Sequence, residues 1–172
     1  MLDDPFKYGL LIALAIALLF AGFTDLRSRK IDNWLNAGIA LAAPLFWWAC
    51  HLSLLPEGPS LFTPSSVVMQ LAVAGVTFAI LTALFAMGAM GGGDVKLLSA
   101  LSLWIAAWPF FKLVIMMALI GGVLTILFAA WHVMRRQRDK LAIPYGVAIA
   151  MAGLWTLSTT YMPATAAAGG LG

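Results

Sequence analysis

Ala86-Met87-Gly88-Ala89-Met90-Gly91-Gly92-Gly93-Asp94-Val95-Lys96-Leu97-Leu98 sets a carboxylate and an amine behind three consecutive glycines, inside a chain that otherwise reads as soluble in lipid. At bilayer depth a charged side chain costs about 2.5–3.5 kcal/mol on insertion scales, so carboxylates there face protein or a water-filled cavity. Three adjacent glycines pack nothing and carry the entropy cost of a floppy backbone, yet they permit a sharp turn and a close approach by another backbone. Two readings of Asp94 stand open on these residues alone: it N-caps the helix that Val95 starts, or it belongs to a functional site. The same stretch ends one apolar run and begins another, so the helix count turns on it.

Outward from this stretch the chain is apolar almost throughout. Of its 172 residues 63% are hydrophobic and 10% charged, with a mean hydropathy of +0.98, whereas soluble domains carry about 25% charged residues. An integral membrane protein is expected. At about 20 apolar residues per crossing the chain holds roughly six spans, which predicts an all-α, polytopic membrane bundle of about six transmembrane helices, residues 1–172 forming a single domain. The net charge of +3 arises from basic residues in short loops, where they act as topology signals rather than as a nucleic-acid surface. Cys50 is the one cysteine, and His51 and His132 lie on different segments, so no disulfide, no metal site and no cofactor is expected. The start, Met1-Leu2-Asp3-Asp4-Pro5, carries acids where a signal peptide would carry lysines, so the first apolar run is expected to stay as a span.

The first span runs from about Tyr8 to Thr24. Ala13, Ala17 and Ala21 recur every four residues, a spacing that lets helices approach closely in lipid, and the next member of that series is Asp25. The carboxylate thus extends a packing face and is expected to point into the bundle. It can equally be a polar residue that merely ends a span. A basic loop, Leu26 to Asn33, leads to Trp34 and a second span reaching about Leu55, in which Pro44 predicts a kink. The connection from His51 to Ser66 is rich in proline and holds Glu57 but no lysine or arginine. The third span, Val67 to Met90, carries another small-residue stripe in Gly75, Ala79 and Ala83. The fourth run, Val95 to Trp108, is stopped by Pro109 and is too short to cross a core of about 30 Å unaided. Short and broken helices are where membrane proteins build binding sites. A fifth span, Phe111 to Met134, has Lys112 at its start and ends at the basic loop Arg135 to Lys140; a sixth runs from Leu141 to Tyr161 with Ala148 and Ala152 four apart. The tail, residues 162–172, is expected to be disordered.

Eight of the ten basic residues fall in the loops after spans one, three and five. The positive-inside rule makes those loops cytoplasmic and both termini external. Asp25 and Asp94 then emerge at the same cytoplasmic face. Two close carboxylates share one proton, and such a pair can serve as general base and general acid towards a water and a peptide carbonyl without metal, cofactor or nucleophilic side chain.

Three motifs in order carry a resemblance. Gly91-Gly92-Gly93-Asp94 fits the Gly-x-Gly-Asp signature of intramembrane aspartic proteases. Together with Thr24-Asp25-Leu26-Arg27-Ser28-Arg29-Lys30-Ile31-Asp32-Asn33-Trp34 and Pro144-Tyr145-Gly146-Val147-Ala148-Ile149-Ala150, it resembles the type IV prepilin peptidase family over almost the whole chain. The likeness is closest to the short, peptidase-only branch associated with Flp/Tad pilus assembly. The resemblance implies a multi-pass protein of the bacterial plasma (inner) membrane that cleaves the basic leader from prepilins at the cytoplasmic face. It implies Asp25 and Asp94 as the catalytic pair, with Gly91, Gly92, Gly93 and Lys96 in the active-site loop. Where relatives have Ile-Pro-Asn this chain has Ile31-Asp32-Asn33, so Asp32 is a third acid nearby. Longer relatives methylate the new N-terminus through a domain with paired Cys-x-x-Cys motifs; this sequence has none, and methyl transfer is not expected. Prepilins and the lipid bilayer are the implied partners, nucleic acid is not, and the oligomeric state is left open. The alternative is an ion- or proton-coupled transporter using the same acids, which would place them near the midplane and show a repeated half.

Overall fold

The computed structural model describes residues 5–54, 66–134 and 145–161, with only the helical backbone of His132 and Val133. The expectations for the proline-rich connection 55–65, the basic loop 135–140, Pro144 and the tail 162–172 lie outside the described residues. The described chain is all-α: α1 (Pro5–Ser28), α2 (Asn33–Ala49), α3 (Val67–Ala86), α4 (Gly92–Ser102), α5 (Ala107–Met134) and α6 (Tyr145–Tyr161). By length and apolarity α1, α3 and α5 can each cross a membrane. The boundaries differ from the sequence reading mainly at helix ends: α2 stops at Ala49, and α3 stops at Ala86 because Gly88, at φ +73°, takes the left-handed conformation that ends it.

α6 lies between α1 and α5, α2 joins α1 to α4, and α4 sits against α2, α3 and α6. The shortest helix is therefore the centre of the bundle. Leu97, Leu98 and Leu101 are fully buried because neighbouring helices cover their sides of α4, while Lys96 on another side stays exposed. The outer helices reverse this pattern: Val76, Phe78 and Ile80 of α3 and Leu119, Val123 and Ile126 of α5 are exposed, the surface a bilayer would cover.

The α1–α6 contact is closer than the alanine ladder implied, and it uses other residues. Leu18 sits on Gly153, where a Cβ would come within 2.8 Å of Leu18 Cδ1, and Gly22 faces Ala150 at 3.1 Å. Ala21 is buried but Ala13 is exposed. At 3.6 residues per turn a step of four overshoots one turn by about 40°, so a ladder of four such residues spans about 120° and cannot stay on one contact face. The stripe Gly75, Ala79 and Ala83 is exposed on α3, and among the described residues a Cβ at Gly75 would meet nothing within 4 Å. On α6, Ala148 and Ala152 are buried as the spacing suggested.

Between α4 and α5 the backbone is irregular from Leu103 to Ala106. Carbonyls without water must find donors inside the protein, and here side chains supply them. Trp47 Nε1 donates to the Leu103 carbonyl at 2.7 Å, Gln70 Nε2 to those of Leu103 and Ile105 at 3.2 Å each, and Tyr161 Oη to that of Trp104 at 3.2 Å. Pro109 does not end the preceding run; it stands in the first turn of α5, where its missing N–H is not needed.

Candidate active site

Asp25 is one turn from the end of α1. The Arg29 N–H closes that turn on the Asp25 carbonyl at 2.8 Å, Arg29 itself adopts φ +54°, and the chain leaves for Asp32 in extended conformation before α2 begins. The Asp25 side chain is 7% exposed and its Oδ2 accepts the Gly146 N–H at 2.7 Å. Gly146 is the second residue of α6, where backbone N–H groups have no intrahelical acceptor and favour a negative partner. Asp25 thus caps, from α1, a helix 121 residues further along the chain. A side chain at position 146 is excluded sterically: its Cβ would lie 2.8 Å from both Cβ and Oδ2 of Asp25.

Asp94 does not N-cap a helix begun by Val95. α4 starts at Gly92 with Gly91 as its cap, so Asp94 is the third helical residue. Its carboxylate is hydrogen-bonded back to the Gly91 backbone, the acidic half of a capping box. The capping role is real, but it is made from inside the first turn and leaves the carboxylate facing a hollow. The three glycines make no left-handed turn; their contribution is room. A Cβ on Gly91 would reach 2.8 Å from Asp94 Oδ2, and on Gly92 or Gly93 it would press on the Phe85 ring at 3.3 Å or on Ile31 at 3.4 Å.

Asp25 and Asp94 line the same polar hollow of about 390 Å³, between the α1–α2 connection (Arg29 to Asn33) and Gly91-Gly92-Gly93. At about 30 Å³ per water this volume holds water together with a short stretch of extended peptide. α4 lies outside the three membrane-length helices; there burial pushes the Asp94 carboxyl up to about 6, and the Asp25 charge adds to the rise against the Gly91 hydrogen bond. Asp32 is exposed and also lines the hollow. Lys96 does not: its Nζ donates to Asn33 Oδ1 at 2.8 Å on the neighbouring face of α4. Among the described residues no group of three His, Cys, Asp or Glu comes together as a metal site.

Sequence reasoning placed Gly146 in a motif without giving it work. The missed function is its backbone N–H, whose only trace in the sequence is a glycine at the start of a helix.

A family model described as the type IV leader peptidase family matches residues 12–130, a stretch that contains Asp25 and Asp94. No curated protein and no solved structure gives a significant match.

Proposed function

The chain belongs to the type IV leader peptidase family, and from that premise we propose that it is an aspartic endopeptidase that uses Asp25 and Asp94 to remove the basic leader from Flp/Tad-like prepilins at the cytoplasmic face of a bacterial plasma membrane. The observation that carries the proposal is the shared hollow, in which acids from α1 and α4 face one space from two helix N-termini.

Two carboxylates in one hollow titrate as a pair, with one proton between them over a range of pH. In that state the ionised carboxylate draws a proton from a water as its oxygen bonds to the scissile carbonyl carbon. The protonated one, Asp94 in the form favoured by its raised pKa, gives its proton to the carbonyl oxygen. Collapse breaks the C–N bond as the amide nitrogen takes a proton from the pair. The products are a leader ending in a carboxylate and a mature chain beginning with an amine. Arg29 and Lys30 border the hollow and repel a basic leader, so the leader is expected to run along the Asp32 side of the rim.

The test is co-expression with a prepilin, scoring leader loss by mass. Asp25→Asn and Asp94→Asn each keep size and capping capacity, yet each should abolish turnover, and the double variant should be little worse than either, because residues acting as a unit are not additive. Asp32→Asn should retain most activity. Normal processing by both Asp25→Asn and Asp94→Asn would remove the dyad from the reaction.

A further inference from the structure

Beside the acid hollow, on the other face of Asn33, runs a second groove of about 480 Å³ between α2, α3 and α4. We infer that this groove seats the apolar helix of the substrate, and that Asn36 and Ser99 are its specificity-determining contacts, hydrogen-bonding to a peptide group just beyond the cleaved bond. The inference rests on the prepilin peptidase reading.

The register of the two helices sets up the site. α2 and α4 lie side by side with Asn33 bonded to Lys96. One turn further on, each helix contributes a second polar residue to the groove, Asn36 and Ser99. The first rung is satisfied and the second is not. Asn36 is 5% exposed, and neither its Oδ1 nor its Nδ2 has a hydrogen-bond partner; the Ser99 Oγ has none either. An unmet buried polar group costs about 1–3 kcal/mol. The chain does satisfy such groups elsewhere: Gln70, an equally buried amide, spends its NH2 on carbonyls of the α4–α5 break. Asn36 and Ser99 therefore stand out as groove-lining residues whose polar atoms are covered and unpartnered in this structure; an occupant of the groove satisfies them once the two side chains turn towards it.

The chemistry of the missing partner follows from the donors and acceptors. A primary amide offers one acceptor and two donors, the complement of a peptide group with both N–H and C=O free. A regular helix frees only N–H groups at its start and only C=O groups at its end, so a peptide group with both free belongs to a segment that is not helical. Ala37, Ala40, Ala74 and Ala100 line the groove as well, small residues that let a helix backbone approach closely, with Phe78 and Leu103 adding larger apolar surface. An alkyl chain of a lipid would fill the same space but leave Asn36 unpaired. Continuity fixes the direction: Asn33 lines both cavities, and Asn36 is three residues, about 4.5 Å, further along the helix axis, a distance that one to two residues of extended chain cover. A peptide whose bond lies between the acids thus meets Asn36 within a few residues, where its apolar helix is still unwound at the start.

The test uses the full-length protein in membranes. Asn36→Leu and Ser99→Ala, each with both aspartates intact, should raise KM for prepilin about tenfold with kcat within about twofold, and leave the thermal midpoint unchanged or higher. In a Cys50→Ser, Asp94→Asn background, Ala74→Cys should cross-link through a short thiol reagent to a prepilin carrying one cysteine early in its apolar helix, whereas Ile115→Cys on the outer face of α5 should not. An unchanged KM in both variants, or a falling midpoint with KM unchanged, makes Asn36 and Ser99 merely part of the helix packing and overturns the inference while cleavage by the wild type stands. Cross-linking from Ile115→Cys and not from Ala74→Cys overturns it as well. Failure of the wild type to shorten any prepilin sinks the peptidase reading itself, a result the kinetic and cross-linking arms do not mimic.

Discussion

Gly146→Ala is the sharpest perturbation the site offers, because it adds one methyl group and alters no acid. That methyl would lie 2.8 Å from Cβ and Oδ2 of Asp25 and 2.9 Å from its Cγ, about 1 Å inside the 3.5–4.0 Å at which carbon atoms rest. The Asp25 Cβ is fixed to the backbone of α1, so relief requires either that α1 and α6 part or that the carboxyl swings away from the Gly146 N–H. Overpacking of this kind costs about 1–3 kcal/mol. Loss of a hydrogen bond to a charged group adds about 1.5–3 kcal/mol, set against about 1 kcal/mol of helix propensity gained. A reacting group displaced by about 1 Å loses on the order of 100-fold in rate. Gly153→Ala is the informative comparison: its Cβ also comes to 2.8 Å, but from the terminal Cδ1 of Leu18, which can rotate away. Gly122→Ala meets nothing within 4 Å. Initial rates of leader removal by the purified proteins, with thermal midpoints measured alongside, should place Gly146→Ala about 100-fold below wild type and the other two within a few-fold of it. Cleavage by Gly146→Ala within about threefold of wild type would refute the argument that this N–H holds Asp25 in its working position.

Three further expectations bear on the charge, the scaffold and the orientation. With Asp94 raised to about 6, cleavage should decline as pH climbs above that value, because the acid loses its proton; the same shift disfavours the folded state between about pH 4 and 6 and above, so Asp94→Asn should melt higher than wild type at pH 8 and no higher below pH 4. Gln70→Leu should lower the thermal midpoint, at a cost of about 1–3 kcal/mol, since it strips donors from the carbonyls of Leu103 and Ile105; an unchanged midpoint would mean that the α4–α5 break is held by Trp47 and Tyr161 alone. In a Cys50-free background, an impermeant thiol reagent should label Glu57→Cys from outside and Arg138→Cys only after the membrane is opened; the reverse pattern would invert the site.

What the sequence made legible follows the range of the forces involved. Apolar runs and charge-rich loops are local, so the helices and their order could be read directly, as could the shortness of the fourth. Close packing is not local: small residues at four-residue spacing mark faces that can approach another helix, and only the bundle decides which do. Gly22 and Gly153 are used and Gly75 is left on the surface. The two acids were visible because each is anomalous in an apolar setting, but their partners were hidden for opposite reasons. Gly146 acts through its backbone, which every residue except proline shares, and Gln70 is an ordinary amide until a broken helix 30 residues later needs its donors. Lys96 stands apart from Asp94 for a geometric reason: two residues further on a helix is about 200° around the axis, so it lines the neighbouring groove, bonded to Asn33, which lines both.

The two acids are held alike, each against the N-terminus of a helix, yet the ties differ in reach. Asp94 bonds to Gly91, three residues away in its own first turn, and that contact forms whenever α4 does. Asp25 bonds to Gly146 across the α1–α6 interface, and exists as a partner only when those helices are packed to the tolerance set by Gly22 and Gly153. The hollow can therefore hold one ordered acid before the bundle is complete, but the pair requires α6 in place. Proton sharing depends on both charges being close, so the raised pKa of Asp94 contains a contribution that tracks α1–α6 packing, although neither helix carries Asp94. Loosening that interface should thus lower the Asp94 value and shift the alkaline limb of the rate profile downward, even for substitutions that touch neither acid.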